Sequence, residues 1–388
     1  MKRITVLILL VLISLTLMIS IGCSIFGGSG KSTIISGGIG GGGGTGGGGT
    51  GGGGTGGGGT SQQYKIVFED SSTHRIYIVN EDGTNLTPLD NSNDSPNIEE
   101  NAMWSPQPIN GSYKIVFVEN GNLAIIDEDG SNKQILPTGN GSNYFPMWSP
   151  TGNRIAFIKV PGQGSYGNLF SVALNGSQQQ LTTDGDLPVD PLISNPPMWD
   201  PNSTDTDYRI TFLRDLNRNG HFDIYLFSSS NGQSTQLTNT GDAITFAAWS
   251  KEGDKIAYVR YNNDNWDIFV MNINTRQIYQ ITNTPEPESL PMWSPVNNNE
   301  LLFVREGNIY KADISDINNP QIQPIVNTPQ TEVFAVWRPD GNKIAFMRYN
   351  DNNDVDIIVK DLNTGSETNL TQNLNGEANL PMWSPVPR

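Results

Sequence analysis

The phrase PMWSPTGNRIAF, residues 146–157, returns with small changes along most of this chain of 388 residues. Its first half, PMWSP, occurs again at 291–295 and at 381–385. A period of about 40 to 50 residues indicates an array of similar structural units. Seven tryptophans stand in this phrase, 44 to 51 residues apart: Trp104, Trp148, Trp199, Trp249, Trp293, Trp337 and Trp383.

Each of the first six tryptophan phrases is followed by a turn and a short strand such as RIAF (154–157) or KIAF (343–346). In RIAF, Ile155 and Phe157 share one face of the strand and Ala156 lies on the other. Both faces are apolar, so large residues on one sheet would interlock with small residues on the next. Two further strands follow in each unit. Four strands in each unit of this length predict a β-propeller.

The two ends of the repeated region complement each other. Residues 64–90 contain the three later strands of a unit without the tryptophan strand, and residues 379–386 contain the tryptophan strand alone. Pairing the last strand with the first would complete a seventh blade and remove two exposed sheet edges. The sequence therefore predicts an all-β fold, a closed seven-bladed β-propeller of four-stranded antiparallel blades. A six-bladed ring with unpaired ends is the alternative.

The phrases WSPTGNRIAF (148–157) and WRPDGNKIAF (337–346) resemble the WD40-like repeats of the TolB propeller family. The resemblance covers residues 64–388 and implies a propeller fold. The GH…WD signature of the eukaryotic type of repeat is absent. The N-terminal α/β domain of TolB has no counterpart here, so the envelope partners of TolB are not carried over.

The N-terminus resembles a bacterial lipoprotein signal. Three residues, Met1-Lys2-Arg3, precede an apolar run at 4–21, and Gly22-Cys23 follow. We expect a signal peptide over 1–22, a lipid on Cys23, a flexible Gly/Thr-rich linker over 23–62 and the propeller over 63–388. Ser20 departs from the pattern, which prefers an aliphatic residue there. An uncleaved membrane anchor and ordinary secretion are the alternatives, and all three predict an extracytoplasmic propeller, in the periplasm or on the cell surface.

Composition limits the partners. The formal net charge is −16, which argues against a nucleic-acid partner, because binding phosphates requires clustered Lys and Arg. The single cysteine excludes internal disulfides. We expect a monomeric ring that reaches the membrane through its lipid and binds an envelope protein, a peptide or a glycan.

The loops after the second and fourth strands of each blade should emerge on one face. The longest loops in the sequence belong to this set, including 159–168, 213–222 and 183–195. Variable loops on a rigid scaffold are where recognition usually occurs. We therefore expect the binding site on this face, at the mouth of the central channel.

One loop on this face resembles half of a calcium-binding loop. Oxygen-bearing side chains alternate along it and a glycine follows at the sixth position. Leu226 stands where the bidentate glutamate would be. A polar hairpin loop is the alternative. No cofactor is required by the sequence, and Ca²⁺ is a candidate ligand of Asp215, Asn217, Asn219, His221 and Asp223.

A basic residue stands two positions after the aromatic residue of the second strand in five units: Lys159, Arg214, Arg260, Arg305 and Arg348. Asp70 and Glu119 occupy the position in the other two. A ring of cations would receive an anionic ligand. The alternative is a set of cross-strand ion pairs with acids such as Asp223, Asp267 and Asp356, which begin the third strand.

The eighth tryptophan, Trp266, lies among amides and acids and could stack on a sugar or peptide, or pack on the neighbouring blade. We take Trp266, Arg260, Arg305 and Arg348 as candidate ligand-binding residues. The two histidines, His74 and His221, stand in no recognisable catalytic motif. We therefore expect a binding scaffold and not an enzyme. The alternative is a secreted propeller enzyme that acts on a carbohydrate or a small ester with the help of calcium.

Overall fold

The computed structural model describes residues 62–90, 97–162, 164, 166–189, 196–352, 354–374 and 376–388. The predicted signal peptide, the lipid site at Cys23 and nearly all of the linker lie outside these residues. The described residues form strands and turns, and they include no helix long and apolar enough to cross a bilayer.

The described residues form 29 strands. The first twelve are β1 (Lys65–Asp70), β2 (Arg75–Asn80), β3 (Thr87–Pro88), β4 (Glu99–Trp104), β5 (Lys114–Glu119), β6 (Asn122–Asp127), β7 (Gln134–Ile135), β8 (Ser142–Trp148), β9 (Arg154–Val160), β10 (Tyr166–Ala173), β11 (Gln178–Gln180) and β12 (Leu187–Pro188). The next eight are β13 (Met198–Trp199), β14 (Arg209–Arg214), β15 (Asp223–Ser228), β16 (Gln233–Gln236), β17 (Ile244–Trp249), β18 (Lys255–Asn262), β19 (Asn265–Asn272) and β20 (Ile278–Gln280). The last nine are β21 (Glu288–Trp293), β22 (Glu300–Arg305), β23 (Asn308–Asp313), β24 (Gln321–Val326), β25 (Thr331–Trp337), β26 (Lys343–Tyr349), β27 (Val355–Asp361), β28 (Glu367–Asn369) and β29 (Ala378–Trp383).

These strands form seven antiparallel sheets, which we number as blades in chain order. Blades 1 to 6 begin with β4, β8, β13, β17, β21 and β25, and each continues with the next three strands. In blade 2 a further strand, β12, pairs with β10. Blade 7 has the order β29-β1-β2-β3, so it contains both ends of the repeated region. The predicted seven-bladed propeller is confirmed.

The closure of the ring is a strand pairing between the two ends. β29 lies antiparallel to β1, with Ile66 opposite Trp383 and Asp70 opposite Ala378. Beyond the strands, the Gln63 amide donates to the Arg388 carbonyl at 2.8 Å. The first strands of all seven sheets also contact one another in sequence around the ring, which makes them the inner strands that surround the axis. The alternative of six blades with open ends is therefore wrong.

The repeated tryptophan has a single role in all seven blades. Each indole Nε1–H donates to the carbonyl oxygen of the residue before the tryptophan of the preceding blade, at 3.0–3.3 Å. Blade 7 takes part on both sides, because Trp104 donates to Met382 and Trp383 donates to Val336. These bonds form a closed ring between blades, which explains why the phrase recurs.

The apolar core lies between the blades, as the alternation in RIAF predicts. Ile155 and Phe157 pack in a cluster with side chains of blade 1, while Ala156 and Ile158 pack against blade 3. All four are at most 2% exposed. The large Ile155 and Phe157 therefore meet the preceding blade, while the small Ala156 leaves room for the following one beside Ile158.

The inner strands also contain a feature that the repeat pattern did not predict. Three residues before the tryptophan, six of the seven blades have a residue with φ between 48° and 59°: Asn101, Phe145, Phe246, Leu290, Phe334 and Leu380. The strand register shifts near each of them. Non-glycine residues rarely adopt this conformation. In blade 3 the position is Pro196, whose ring excludes a positive φ.

Candidate functional site

We call the face on which the inner strands begin the upper face. The end of each second strand and the loops after the second and fourth strands lie there as well. Glu288 opposite Arg305 and Glu332 opposite Arg348 show how the start of an inner strand meets the end of the second strand. The sequence-predicted basic residues therefore lie in one layer on this face.

Four of these basic residues form ion pairs through their Nε atoms. The pairs are Arg214–Asp186, Arg260–Asp242, Arg305–Glu288 and Arg348–Glu332. Each acid comes from the start of the inner strand or from the loop before it. Asp223, Asp267 and Asp356 are the Cα partners of arginines across the sheet, yet none of these ion pairs involves them. The pairs thus tie the inner strand or the loop before it to the second strand.

Two of these arginines retain unused hydrogen-bonding capacity. The Nη2 atoms of Arg305 and Arg348 are buried and have no hydrogen-bond partner among the described residues. The Oε2 atom of Glu332 likewise has no hydrogen-bond partner among the described residues, and Glu332 is fully buried. Buried polar groups are normally satisfied by protein or by ordered water. The layer at blades 5 and 6 therefore contains buried polar atoms whose hydrogen-bonding capacity is not used by the described residues.

The fifth basic residue, Lys159, behaves differently. Its ammonium donates to the Thr138 carbonyl oxygen and lies 5.4 Å from the centre of the Phe170 ring. Burial lowers the pKa of Lys159. Among the residues that the structure describes, no carboxylate forms an ion pair with Lys159, unlike the four arginines.

A pair of buried carboxyls joins blades 4 and 5. Asp267 and Glu288 are 3% and 2% exposed and are hydrogen-bonded to each other. Burial raises the pKa of Glu288 to about 7, against the opposing effects of Thr284, Thr282 and Arg305. Burial likewise raises the pKa of Asp267. Two neighbouring carboxyls ionise together less readily than one alone, so we expect the charge of this pair to change near neutral pH.

A second acidic group lies between blades 7 and 1. Carboxylate oxygens of Asp90, Glu99 and Glu119 lie within 4.8 Å of one another, and all three residues are buried. The Lys133 ammonium donates to Asp90 and Glu119, the latter at 2.8 Å. The Glu99 carboxylate accepts a bond from the Ile76 amide at 2.9 Å. Lys133 supplies the positive charge of this group, and we assign no metal to it.

The candidate calcium loop is closed by its own hydrogen bonds. The Asp215 carboxylate accepts from the amides of Asn219 and Gly220 at 3.0 and 2.9 Å and from the Tyr166 hydroxyl at 3.1 Å. The Asn219 side chain accepts from the His221 amide.

Asp223, the last residue of the candidate loop, accepts from the Thr238 hydroxyl at 2.8 Å, and the Nδ1 atom of His221 is bonded to the Gly241 carbonyl at 2.7 Å. Asn217 is exposed. The calcium site stays a prediction. Measuring the melting temperature at increasing Ca²⁺ concentrations would test it.

Trp266 lies at the end of the β18–β19 hairpin. It stands opposite Tyr261, and the two rings are 5.2 Å apart between centroids at an angle of 55°. Asn263 and Asp264 form the two-residue turn, both with positive φ, as a tight hairpin of this kind requires. Trp266 packs partly on the apolar cluster that blades 4 and 5 share, while Tyr261 is 40% exposed.

Tyr261 was missed by the sequence analysis. The sequence indicates Tyr261 only through its position. It continues the apolar alternation of β18 beyond Arg260, and a two-residue hairpin turn would place it opposite Trp266. The pair forms an aromatic surface on the upper face, beside the arginine of the same strand. Such a surface can bind a ring or an extended apolar segment of a ligand.

Comparison with known proteins gives a partial family match. The family described as the dipeptidyl peptidase IV (DPP IV) N-terminal region matches residues 214–288. No curated protein sequence matches this chain.

Several solved structures share the fold at low sequence identity. TolB from Acinetobacter baumannii is 14% identical with a TM-score of 0.51, and the match covers 83% of this chain and 66% of TolB. Oligogalacturonate lyase from Vibrio parahaemolyticus is 15% identical with a TM-score of 0.53, over 79% and 85% of the two chains. Puromycin hydrolase is 13% identical with a TM-score of 0.60, over 80% and 54%. This chain thus spans under two thirds of TolB and about half of the hydrolase.

These structures correct one expectation. The prediction that the chain is not an enzyme is wrong as a conclusion from the sequence, because propellers with the same fold occur in a lyase and in a hydrolase. The lack of a recognisable catalytic motif therefore does not exclude catalysis. The predicted resemblance to TolB-like propellers is confirmed: the described part of this chain has their fold.

Proposed function

We propose that this protein is an extracytoplasmic propeller, tethered to the cell envelope through Cys23, that binds a peptide or a glycan on its upper face. The lipoprotein-like N-terminus and the TolB-like fold support the location. Loss of palmitate labelling in a Cys23→Ala variant would support the anchor, and unchanged labelling would contradict it.

The observation that carries the binding function is the Tyr261–Trp266 pair. It is an aromatic surface on a hairpin: Tyr261 packs against Trp266 with one part of its ring and leaves 40% of the residue exposed to solvent. Amide side chains flank it at Asn262 and Asn265, the next residues of the hairpin, and the Asn265 Nδ2 already donates to the Thr284 carbonyl at 2.7 Å, so Asn262 is the amide that we expect a ligand to meet. Aromatic faces beside amide donors suit a sugar ring or an extended peptide, because both present an apolar face and polar edges.

Peptidoglycan fragments contain both sugar and peptide, so they are a suitable probe for calorimetric titration. We expect Trp266→Ala to weaken binding by about 30-fold, which corresponds to about 2 kcal/mol for an aromatic anchor. Tyr279→Ala, on the outer strand β20 of the same blade, is the matched control and should bind as the wild type does. If Trp266→Ala and Tyr279→Ala bind the fragments with equal affinity, the aromatic pair is not part of the binding site.

A carbohydrate-active enzyme is the second candidate function. The similar structures include an oligogalacturonate lyase, most of whose length the match covers. This candidate is tested by incubating the protein with oligogalacturonate and with small esters. Chain shortening or ester cleavage at a rate proportional to protein concentration would support it, and binding without turnover would support the scaffold instead.

A further inference from the structure

Glu69 is a buried carboxyl in the blade that closes the ring. It lies on β1, the strand to which the end of the chain pairs, and it is 4% exposed. Its Cα partners are Ile76 on β2 and Asn379 on β29. Ile76 and Val67, which share this face of blade 7, pack in an apolar cluster with side chains of blade 1. Glu69 therefore points a carboxyl into an apolar seam between two blades.

The equivalent position is aliphatic in every other blade. It is the residue after the buried aromatic of the second strand, and the six counterparts are Val118, Ile158, Leu213, Val259, Val304 and Met347. Four of them, in blades 1 to 4, belong to the apolar cluster shared with the following blade. The repeat thus favours an aliphatic residue here, and the glutamate is a departure confined to the closing blade.

Glu69 also contacts the inner strand of blade 1. Its Oε1 atom accepts a hydrogen bond from the Asn101 amide, within the bulge of β4. The amide of Ala102 also bonds to this carboxylate. The carboxyl therefore bridges the strand that receives the chain terminus and the strand that begins the first blade.

The charged groups around Glu69 are acidic. On β4, Glu99 and Glu100 are titratable, and Glu100 is the charged neighbour that acts on Glu69. β2 carries Arg75 and Tyr77, but their Cα partners are Asp70 and Phe68, so both lie on the opposite face. β29 carries no titratable residue. Within these described strands no cation shares the face of Glu69. Further along the same seam, Arg75 acts on Glu99, and Lys133 in the loop after β6 pairs with Asp90 and Glu119.

A carboxyl in such surroundings holds its proton. Burial, followed by the charge of Glu100, raises the pKa of Glu69 to about 8, although the backbone bonds act in the other direction. Burial also raises the pKa of Glu100 to about 7. An acid whose pKa is raised on folding favours the folded state most below its unfolded pKa, and this advantage is lost as pH rises through the folded value.

We propose that Glu69 is a proton-binding site of the closing seam: its protonated carboxyl holds blade 7 against blade 1, and its ionisation loosens the pairing of β29 with β1. Ionisation places a second negative charge beside Glu100 in an apolar seam, where water cannot screen it. Within blade 7, β29 lies beside β1 without a chain connection between the two strands, whereas the four strands of each other blade are consecutive in sequence. Glu69 lies opposite Asn379 in this pairing, so we expect the loosening to reach β29 first.

Hydrogen exchange of the full chain in detergent tests this proposal. The amides of β29, which are those of 378–383 except Pro381, are compared between pH 6 and pH 9, after correction for the intrinsic exchange rate. For a site with pKa about 8 when closed and about 4.5 when open, protection should fall on the order of 100-fold. The inner strand β17, residues 244–249, is the internal control and should lose much less protection.

Two variants distinguish ionisation of Glu69 from a general loss of structure at high pH. Glu69→Gln keeps the shape and an acceptor for the Asn101 amide, and Glu69→Val restores the residue type of the other blades. Both should lower the pH dependence of β29 by at least tenfold. Equal loss of protection in β29 and β17 of the wild type, or an unchanged dependence in Glu69→Gln, would overturn the proposal. The comparison within the wild type decides the question even if a variant does not fold.

Discussion

Replacing Trp383 by alanine tests the closure of the ring directly. Trp383 is 8% exposed, and it packs in the apolar cluster shared by blades 6 and 7. Its indole donates to the Val336 carbonyl at 3.3 Å and its ring meets Tyr64 edge-on at 6.1 Å. Removing a buried tryptophan side chain costs about 3–5 kcal/mol and the lost hydrogen bond about 1 kcal/mol. We therefore expect Trp383→Ala to lower the free energy of unfolding by about 4–6 kcal/mol.

Urea denaturation followed by far-UV circular dichroism measures this loss without depending on tryptophan fluorescence. Trp266→Ala is the matched control, because Trp266 lies outside the ring of indole bonds and is only partly buried, so we expect a loss of about 1–2 kcal/mol. Trp383→Phe keeps most of the ring volume and isolates the indole bond, at about 1 kcal/mol. The reasoning fails if Trp383→Ala is no more destabilising than Trp266→Ala.

Three further substitutions test single contacts, each by urea denaturation. Asp215→Ala removes the carboxylate that accepts three hydrogen bonds and should cost about 2–4 kcal/mol, whereas the exposed Asn217→Ala in the same loop should cost under about 0.5 kcal/mol. Glu288 has a raised pKa, so wild-type stability should fall as pH rises from about 5 to 7, and Glu288→Gln should flatten that slope by about 1–2 kcal/mol. A Cβ on Gly130 would lie 2.4 Å from the backbone of blade 7, so Gly130→Ala should cost at least about 1 kcal/mol more than Gly365→Ala, whose Cβ meets open space; equal losses would contradict the close approach.

Much of the fold follows from the repeat alone. The spacing of the tryptophans and the alternation in stretches such as 154–157 predict the strands, their number in each blade and the faces that become buried. The incomplete units at 64–90 and 379–386 predict the closure. These features are readable because each depends on residues close together in sequence, and the two incomplete units complement each other.

The bulges of the inner strands were not predictable in this way. Phe145 and Leu380 adopt a positive φ although neither residue type favours it. The surrounding packing of seven strands around one axis imposes the conformation. Of the aromatic pair, only Trp266 was predicted from the sequence. The contact of Tyr261 with Trp266 depends on the exact length of the hairpin turn.

The sequence by itself determined the strand pattern, the seven units and the layer in which the basic residues lie, because periodicity is a local property of the chain. Only the tertiary structure decided which acid each arginine meets, as Arg260 shows by pairing with Asp242 rather than with Asp267, its partner across the sheet. It also decided that Glu69 faces an apolar seam and the Asn101 amide of the next blade. Such partners come from different strands and blades, and packing between sheets, which no local pattern encodes, brings them together.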